Sequence, residues 1–288
     1  MSKALSPEQI ASYRENGYVF PIDILGEAEA AELRRKFHGL EAREGGQLSR
    51  RTNTRVHLLV TWLNDLIRDA RILDPIEDLI GPDILCWASG FFAKHPGDGT
   101  FVSWHQDGAY WNMPSHETVS VWIAFTPSTP ESGCMRVVRG SHKEMLQHED
   151  RCNEKNLLMR GQEVAVEVDE TAAVDIILKP GQVSLHHPLI VHGSNPNRSN
   201  HPRVGYTIRY RPAHLCPSFP VKDTATLVRG TDRYGHFDLE PTPQFDFAPE
   251  AVRAHTDSVE RLAKNYYTGV PKSRELDAPM ASRFGAAR

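Results

Sequence analysis

Two textures divide the chain. Up to about residue 80, apolar positions recur with a helical period; from Gly81 onward they come in short runs between turn residues. Ser6, Pro7 and Gln9 spell a helix start: a side-chain acceptor ahead of the first turn, a proline where no amide bond is lost, and a reciprocal glutamine. Gly17 stops that helix before the apolar stretch YVFPI. A second helix is expected over Glu27–Glu44, with Leu33, Phe37 and Leu40 on one face and Gly45-Gly46 at its end. Residues 47–56 (QLSRRTNTRV) are polar and read as a loop. Its arginines Arg50, Arg51 and Arg55 face either an anionic ligand or, as a lid, solvent. His57–Asp69 resumes the helical period through Leu58, Leu59, Trp62, Leu63 and Leu66, and residues 72–80 add a short helix.

Beyond Gly81 the runs are rich in β-branched and aromatic residues and bounded by Gly, Pro, Asn and Asp. Strands are expected at Ile84–Lys94, Phe101–His105, Thr118–Phe125, Met135–Val138, Val164–Val168, Ala173–Ile177, Gln182–Leu185, Leu189–His192 and Val204–Arg211. No helix between them is long enough for a parallel crossover, so the pattern implies a mainly β fold of jelly-roll type with flanking helices. After Pro212 the chain turns proline-rich and irregular, with one amphipathic helix near Pro249–Tyr267. This layout is one domain over residues 1–288: helices over 1–80, a jelly-roll core over 81–212 and a wrapping segment over 213–288.

Composition narrows the possible partners. The 288 residues are enough to bury a core without staples, and the net charge of −4 comes with no basic stripe. Nucleic acid and anionic membrane surfaces are therefore not expected partners. The longest apolar runs, such as VSVWIAF, fall far short of a membrane span. Cys86, Cys134, Cys152 and Cys216 include no Cys-x-x-Cys pair, and the N-terminus MSKALSPEQ has no apolar leader, so a reducing cytoplasm is expected. Oligomeric state is not legible.

The stretch SWHQDGAYW, Ser103–Trp111, carries the candidate chemistry. In extended chain, residues two apart face the same side, so His105 and Asp107 deliver an imidazole and a carboxylate to one point. Two imidazoles and one carboxylate on one face hold non-haem iron(II) and leave positions open for further ligands. The best third donor is His192 in HHPLIVHGSNPNRSNHPR, with a basic residue, Arg203, eleven positions on. A histidine hydrogen-bonded to its neighbouring aspartate is the plainer reading of an isolated His-x-Asp.

Three ordered blocks resemble the phytanoyl-CoA dioxygenase superfamily of iron(II)/2-oxoglutarate oxygenases: FFAKHPGDGTFVSWHQDGAYW, VSVWIAFTPSTPESGCMRVVRGSH and LKPGQVSLHHPLIVHGSNPNRSNHPR. The resemblance spans roughly Phe91–Arg211. It implies a double-stranded β-helix (cupin-like) core, Fe(II) as the metal, and 2-oxoglutarate and O2 as cosubstrates. It further implies that His105, Asp107 and His192 hold the metal, and that Arg203 anchors the far carboxylate of 2-oxoglutarate, aided by Ser194. Lys94 and Trp122 match positions that line the cosubstrate pocket. Ser132 and Arg139 depart from the pattern, in a turn away from the ligands. One branch of the family replaces the carboxylate with a small residue and binds chloride there; Asp107 argues for hydroxylation or a related oxidation instead.

Candidate substrate residues are Tyr110 and Trp111, which follow the metal motif, Trp87, and Arg209 and Arg211, which alternate with Tyr210 on the last strand. His186 and His187 are read as groups behind the ligands or on the surface rather than as ligands, His142 as closing a turn. The expected ligand is a small molecule, a metabolite or natural-product intermediate, since no Lys/Arg cluster suits a CoA phosphate arm. A cupin-like metal-binding protein without oxygenase activity is the alternative from another class; Arg203 and Ser194 disfavour it.

Overall fold

The structure is a computed structural model and describes residues 3–111, 116–151, 153–158 and 160–266. Strands β1 (Tyr18–Asp23), β2 (Ile84–Lys94), β3 (Val102–His105), β4 (Val119–Ala124), β5 (Arg136–Val138), β6 (His148–Asp150), β7 (Gln162–Val164), β8 (Ala173–Asp175), β9 (Gln182–His186), β10 (His192–Ser194), β11 (Arg203–Pro212), β12 (Thr224–Arg229) and β13 (Asp238–Leu239) build three sheets. The large one runs β1-β9-β4-β11-β2-β12-β13, a smaller one β3-β10-β5-β8, and β6 pairs with β7. Pairing is antiparallel throughout except between β12 and β13. Helices α1 (Pro7–Asn16), α2 (Glu27–Arg43), α3 (Arg50–Asn53), α4 (Thr61–Leu66), α5 (Ala70–Ile80) and α6 (Pro249–Tyr266) flank them. The expected mainly β jelly roll with flanking helices is what forms.

Alternation along β11 and its neighbours explains why the large sheet has two different faces. Val204, Tyr206, Ile208 and Tyr210 of β11, with Val119, Val121 and Ile123 of β4 and Val183 and Leu185 of β9, join the core against Phe37, Leu40, Leu63 and Ile72 of the helices. The intervening residues Arg203, Thr207 and Arg209, with Ser120 and Trp122, turn toward the small sheet and line the chamber between the two. One face of the sheet is closed by the hydrophobic effect; the other is left for chemistry.

Several boundaries differ from expectation. The capping box at Ser6 and the left-handed Gly17 bound α1 as the sequence says. YVFPI, to which the sequence reading gave no element, forms β1 at the edge of the large sheet, against β9. The period over His57–Asp69 is split into a 3-10 turn at Val56–Leu58 and α4, and the expected strand at Leu189–His192 begins at His192 instead. Residues beyond Pro212 are less irregular than expected, because β12 extends the large sheet beside β2.

The loop at 47–56 contains α3, and Arg55 is a correction: it is neither lid nor anion receptor. Its guanidinium is fully buried and forks onto Asp223 at 3.0 and 2.7 Å, with Thr224 at 2.8 Å and the Ser258 hydroxyl at 2.5 Å. Glu240 and His57 complete this cluster. The same network holds Arg55 at a left-handed φ of 54° while its N–H bonds to Ser89 O. It ties the N-terminal segment to β12 and α6. Arg55→Met removes the bidentate partner of Asp223, which keeps the Trp87 indole N–H at 2.7 Å and the nearby Arg211, so we expect a loss of about 3 kcal/mol, the low end for breaking a buried ion pair. Urea denaturation of the two proteins measures it.

Candidate active site

The three side chains that could hold a metal come from three local solutions. His105 ends β3, and Gln106 stays extended (φ −116°, ψ 119°), so the alternation holds for one more residue. Asp107 therefore shares the side of His105, although it begins a 3-10 turn rather than continuing the strand. Gln106 is locked by bonds to Glu144 O (2.8 Å), Leu189 O (2.6 Å) and Leu146 N (2.8 Å). His192 opens β10 directly opposite His105 in the antiparallel pair.

The three ligand atoms lie within 4.8 Å of one another and all three residues are buried. Each imidazole aims its Nδ1 at backbone carbonyls: His105 at Ser103 O (2.9 Å) and His192 O (3.0 Å), His192 at Ile190 O (3.0 Å). Donation there puts the proton on Nδ1 and turns both Nε2 lone pairs inward. Asp107 Oδ1 lies 3.5 Å from His105 Nε2, and Asp107 Oδ2 lies 3.5 Å from Arg209 Nη2. Burial opposes a charge on Asp107, but Arg209 and His105 outweigh it and hold the carboxyl well below the usual range. Burial, then His105, pushes His192 well below the ordinary histidine value. Two imidazoles with Nε2 turned inward and a carboxylate facing one point are a fit for a divalent cation of the iron(II) kind.

Arg203 shows what else the chamber is built to take. It is buried, and its Nε and Nη2 have no hydrogen-bond partner; burial lowers it to about 10. Its guanidinium lies over Trp122 at 5.3 Å and lines the same cavity as the triad. An orphaned buried fork is costly alone and suits a carboxylate, so the residues fit 2-oxoglutarate. Ser194 borders the cavity beside it. Lys94 does not line the cavity; it sits behind, donating to Ser194 Oγ and Asn195 O, both at 2.6 Å. Burial, with Arg203 close by, lowers Lys94 to about 6.

Trp122 reaches its place because residue 205 is glycine. A methyl group there falls 1.9 Å from Cζ2 of Trp122. Gly205→Ala forces the indole off this wall. We expect a stability loss of about 1–3 kcal/mol and weaker 2-oxoglutarate binding, read from a denaturation midpoint and a cosubstrate titration.

An outer chamber of about 410 Å³ adjoins the inner one. The two share Phe92, Asp107, Thr207 and Arg209. Trp87 and Trp111 line the outer chamber, their rings edge-to-face at 5.4 Å. Tyr110 borders neither chamber; it faces a surface cleft with His148 and Arg160. Arg211 borders neither as well: its guanidinium stacks 3.8 Å from the Trp87 ring, on the side of Asp223. Alternation put Arg209 and Arg211 on one face, but the sheet is irregular between Arg209 and Tyr210, and only Arg209 reaches the site.

Ser120, which sequence reasoning passed over, and His186, which it placed behind the ligands or on the surface, both line the inner chamber. Ser120 lies two before Trp122 and pairs with His186 on one side and Arg209 on the other. The signal was available: with Trp122 inward, alternation puts Ser120 inward too. Burial lowers His186 to about 4.

A jelly roll that closes a His–Asp–His triad in with a waiting guanidinium defines the non-haem iron(II)/2-oxoglutarate oxygenases. The comparisons with known proteins agree. The family model of phytanoyl-CoA dioxygenase (PhyH) matches residues 13–205, and the chain belongs to that family. It is 25% identical to the peroxisomal phytanoyl-CoA dioxygenase of Bos taurus over 250 residues, covering 78% of this chain and 73% of that one. The structure of apo ThoJ, a non-heme monooxygenase, superposes with a TM-score of 0.79 at 34% identity, covering 90% of this chain and 97% of that chain. CytC3 with Fe(II) and alpha-ketoglutarate matches with a TM-score of 0.63 at 25% identity, covering 85% and 97%. The protein is an enzyme, a non-haem iron(II)/2-oxoglutarate-dependent dioxygenase. Among the described residues, no helix is long and apolar enough to cross a membrane.

Proposed function

We infer that the enzyme hydroxylates, or otherwise oxidises, a C–H bond of a small metabolite or natural-product intermediate, with release of succinate and CO2. The observation that carries this reading is the pair of chambers meeting at Asp107 and Arg209. The inner one is narrow and holds the triad and Arg203; the outer one has the volume of a small-molecule site. Bound iron, with 2-oxoglutarate and O2, supplies the oxidant that attacks the C–H bond. His105, Asp107 and His192 are the proposed metal ligands, Arg203 the anchor of the cosubstrate, with Ser194 beside it and Lys94 supporting Ser194. Trp122, Phe92 and Met135 wall the cavity and exclude water. Trp87 and Trp111 offer apolar faces to the substrate.

The rim also bears on substrate size. Glu41, Asp98 and Glu154 stand with Arg50 toward the rim of the outer chamber, and Arg209 pairs with Asp107 at its inner end, so the rim offers no basic cluster for the phosphates of a CoA arm. The test is succinate release from 2-oxoglutarate in the presence of candidate substrates, with the product read by mass. We expect a small molecule to stimulate turnover and gain an oxygen or lose two hydrogens. Stimulation by acyl-CoA thioesters alone overturns the small-metabolite reading.

A further inference from the structure

At the throat between the chambers Arg209 leans on Asp107, a proposed metal ligand, and this bears on the substrate class; the argument rests on the iron/2-oxoglutarate reading above. Arg209 comes from the inward face of β11, 18% exposed, with its guanidinium over the Trp111 ring at 5.4 Å. Its Nε has no hydrogen-bond partner, its Nη1 reaches Thr207 Oγ1 at 3.5 Å, and its one acidic neighbour among the described residues is Asp107 Oδ2 at 3.5 Å. Ser120, its partner across the β11–β4 pair, adds a buried Oγ that also lacks a partner.

Loading the site changes what Arg209 can rely on. The metal brings two positive charges, and Arg203 and Arg209 bring one each. Asp107 and the two carboxylates of 2-oxoglutarate bring three negative ones. One positive charge is left over, and Arg209 is where it falls: the metal claims Asp107, and the cosubstrate neutralises Arg203. A guanidinium does not escape by giving up its proton, and an uncompensated one in a desolvated throat is costly. The other carboxylates around the outer chamber do not fill the gap. Glu41 is engaged by His38 at 3.0 Å and His95 at 3.2 Å, Asp98 by the backbone of His95 and by Thr100, and Glu154 is exposed.

We propose that the substrate is a carboxylic acid whose carboxylate docks on Arg209, with Ser120 as a second donor, so that a C–H bond near that carboxylate meets the metal. Arg209 is thus the specificity-determining residue of the outer chamber. Trp87 and Trp111 take the apolar remainder.

The experiment uses the full chain with iron(II) and 2-oxoglutarate in the absence of oxygen, following the visible absorption of the iron–cosubstrate complex. Matched pairs are titrated in: acetate against acetamide, and 3-phenylpropanoate against its primary amide. We expect at least one acid to shift the band with an affinity about tenfold or more above that of its amide. Arg209→Gln should form the band and lose the preference; Arg209→Lys should retain part of it. No acid outperforming its amide overturns the proposal. So does an acid that merely bleaches the band by displacing 2-oxoglutarate. An Arg209→Gln protein that keeps the preference, or that forms no band at all, also overturns it, the latter by making Arg209 a support of Asp107. Absence of the band in the unaltered protein sinks the iron/2-oxoglutarate reading itself, which is a separate failure.

Discussion

Arg203→Leu is expected to raise the 2-oxoglutarate concentration needed for half-maximal turnover by about 30-fold or more, because it truncates one partner of a buried charge pair. The side chain is buried, carries two donors without a partner, and faces the cavity that holds the triad. Leucine fills much of the volume without the fork. Iron binding should persist, since Arg203 contacts none of the three candidate ligands. A fluorescence or absorbance titration of the iron-loaded, oxygen-free protein separates the two effects. The substitution should also relieve an isolated buried cation, so the variant's unfolding midpoint without ligand should equal or exceed that of the unaltered protein. An unchanged 2-oxoglutarate requirement removes Arg203 from the site.

His192→Ala has the largest expected effect on the metal itself. It deletes one of three ligands from a site whose remaining pair, His105 and Asp107, lies on one short stretch of chain. Perturbing an outer partner of a ligand already costs 10–100-fold in affinity, so loss of the ligand should weaken iron binding by about 100-fold or more. Equilibrium dialysis with iron(II), or with cobalt(II) as an air-stable stand-in, gives the number. Far-ultraviolet circular dichroism should be unaltered, because β10 is held by backbone pairing to β3 and β5 rather than by the imidazole. Retention of tight, stoichiometric iron would remove His192 from the ligand set.

Much of this site could be read before any fold was known. His-x-Asp announces a shared side because the alternation of extended chain is local, and it survives the end of β3 through Gln106. Arg203, Ser194 and Trp122 were legible from the blocks they sit in, and they do line one cavity. Other positions went astray for identifiable reasons. Arg55 looks like a surface residue in a polar loop, because its partners Asp223 and Ser258 are 168 and 203 residues away. Tyr110 follows the metal motif so closely that it was expected at the substrate, yet the 3-10 turn at Asp107–Tyr110 swings it to the outside. Strand β12 was missed because its sequence is short and lies in proline-rich surroundings; pairing with β2 is what makes it a strand.

By itself, then, the sequence determined the class of fold through its periodicity, and the iron(II)/2-oxoglutarate chemistry through three blocks that resemble a known family, which also single out Arg203 as the proposed anchor. Periodicity and short spacings are carried by the chain in its own order. Only the tertiary structure decided which of two like arginines borders the cavity. Arg209 and Arg211 share a strand, and alternation alone puts them on one face, but a break in register between β11 and β2 leaves one beside Asp107 and the other on Trp87. It also decided that Lys94 supports Ser194, 100 residues on, instead of facing the cavity. Such roles are set by which strands lie side by side, and that arrangement is a property of the whole packed molecule.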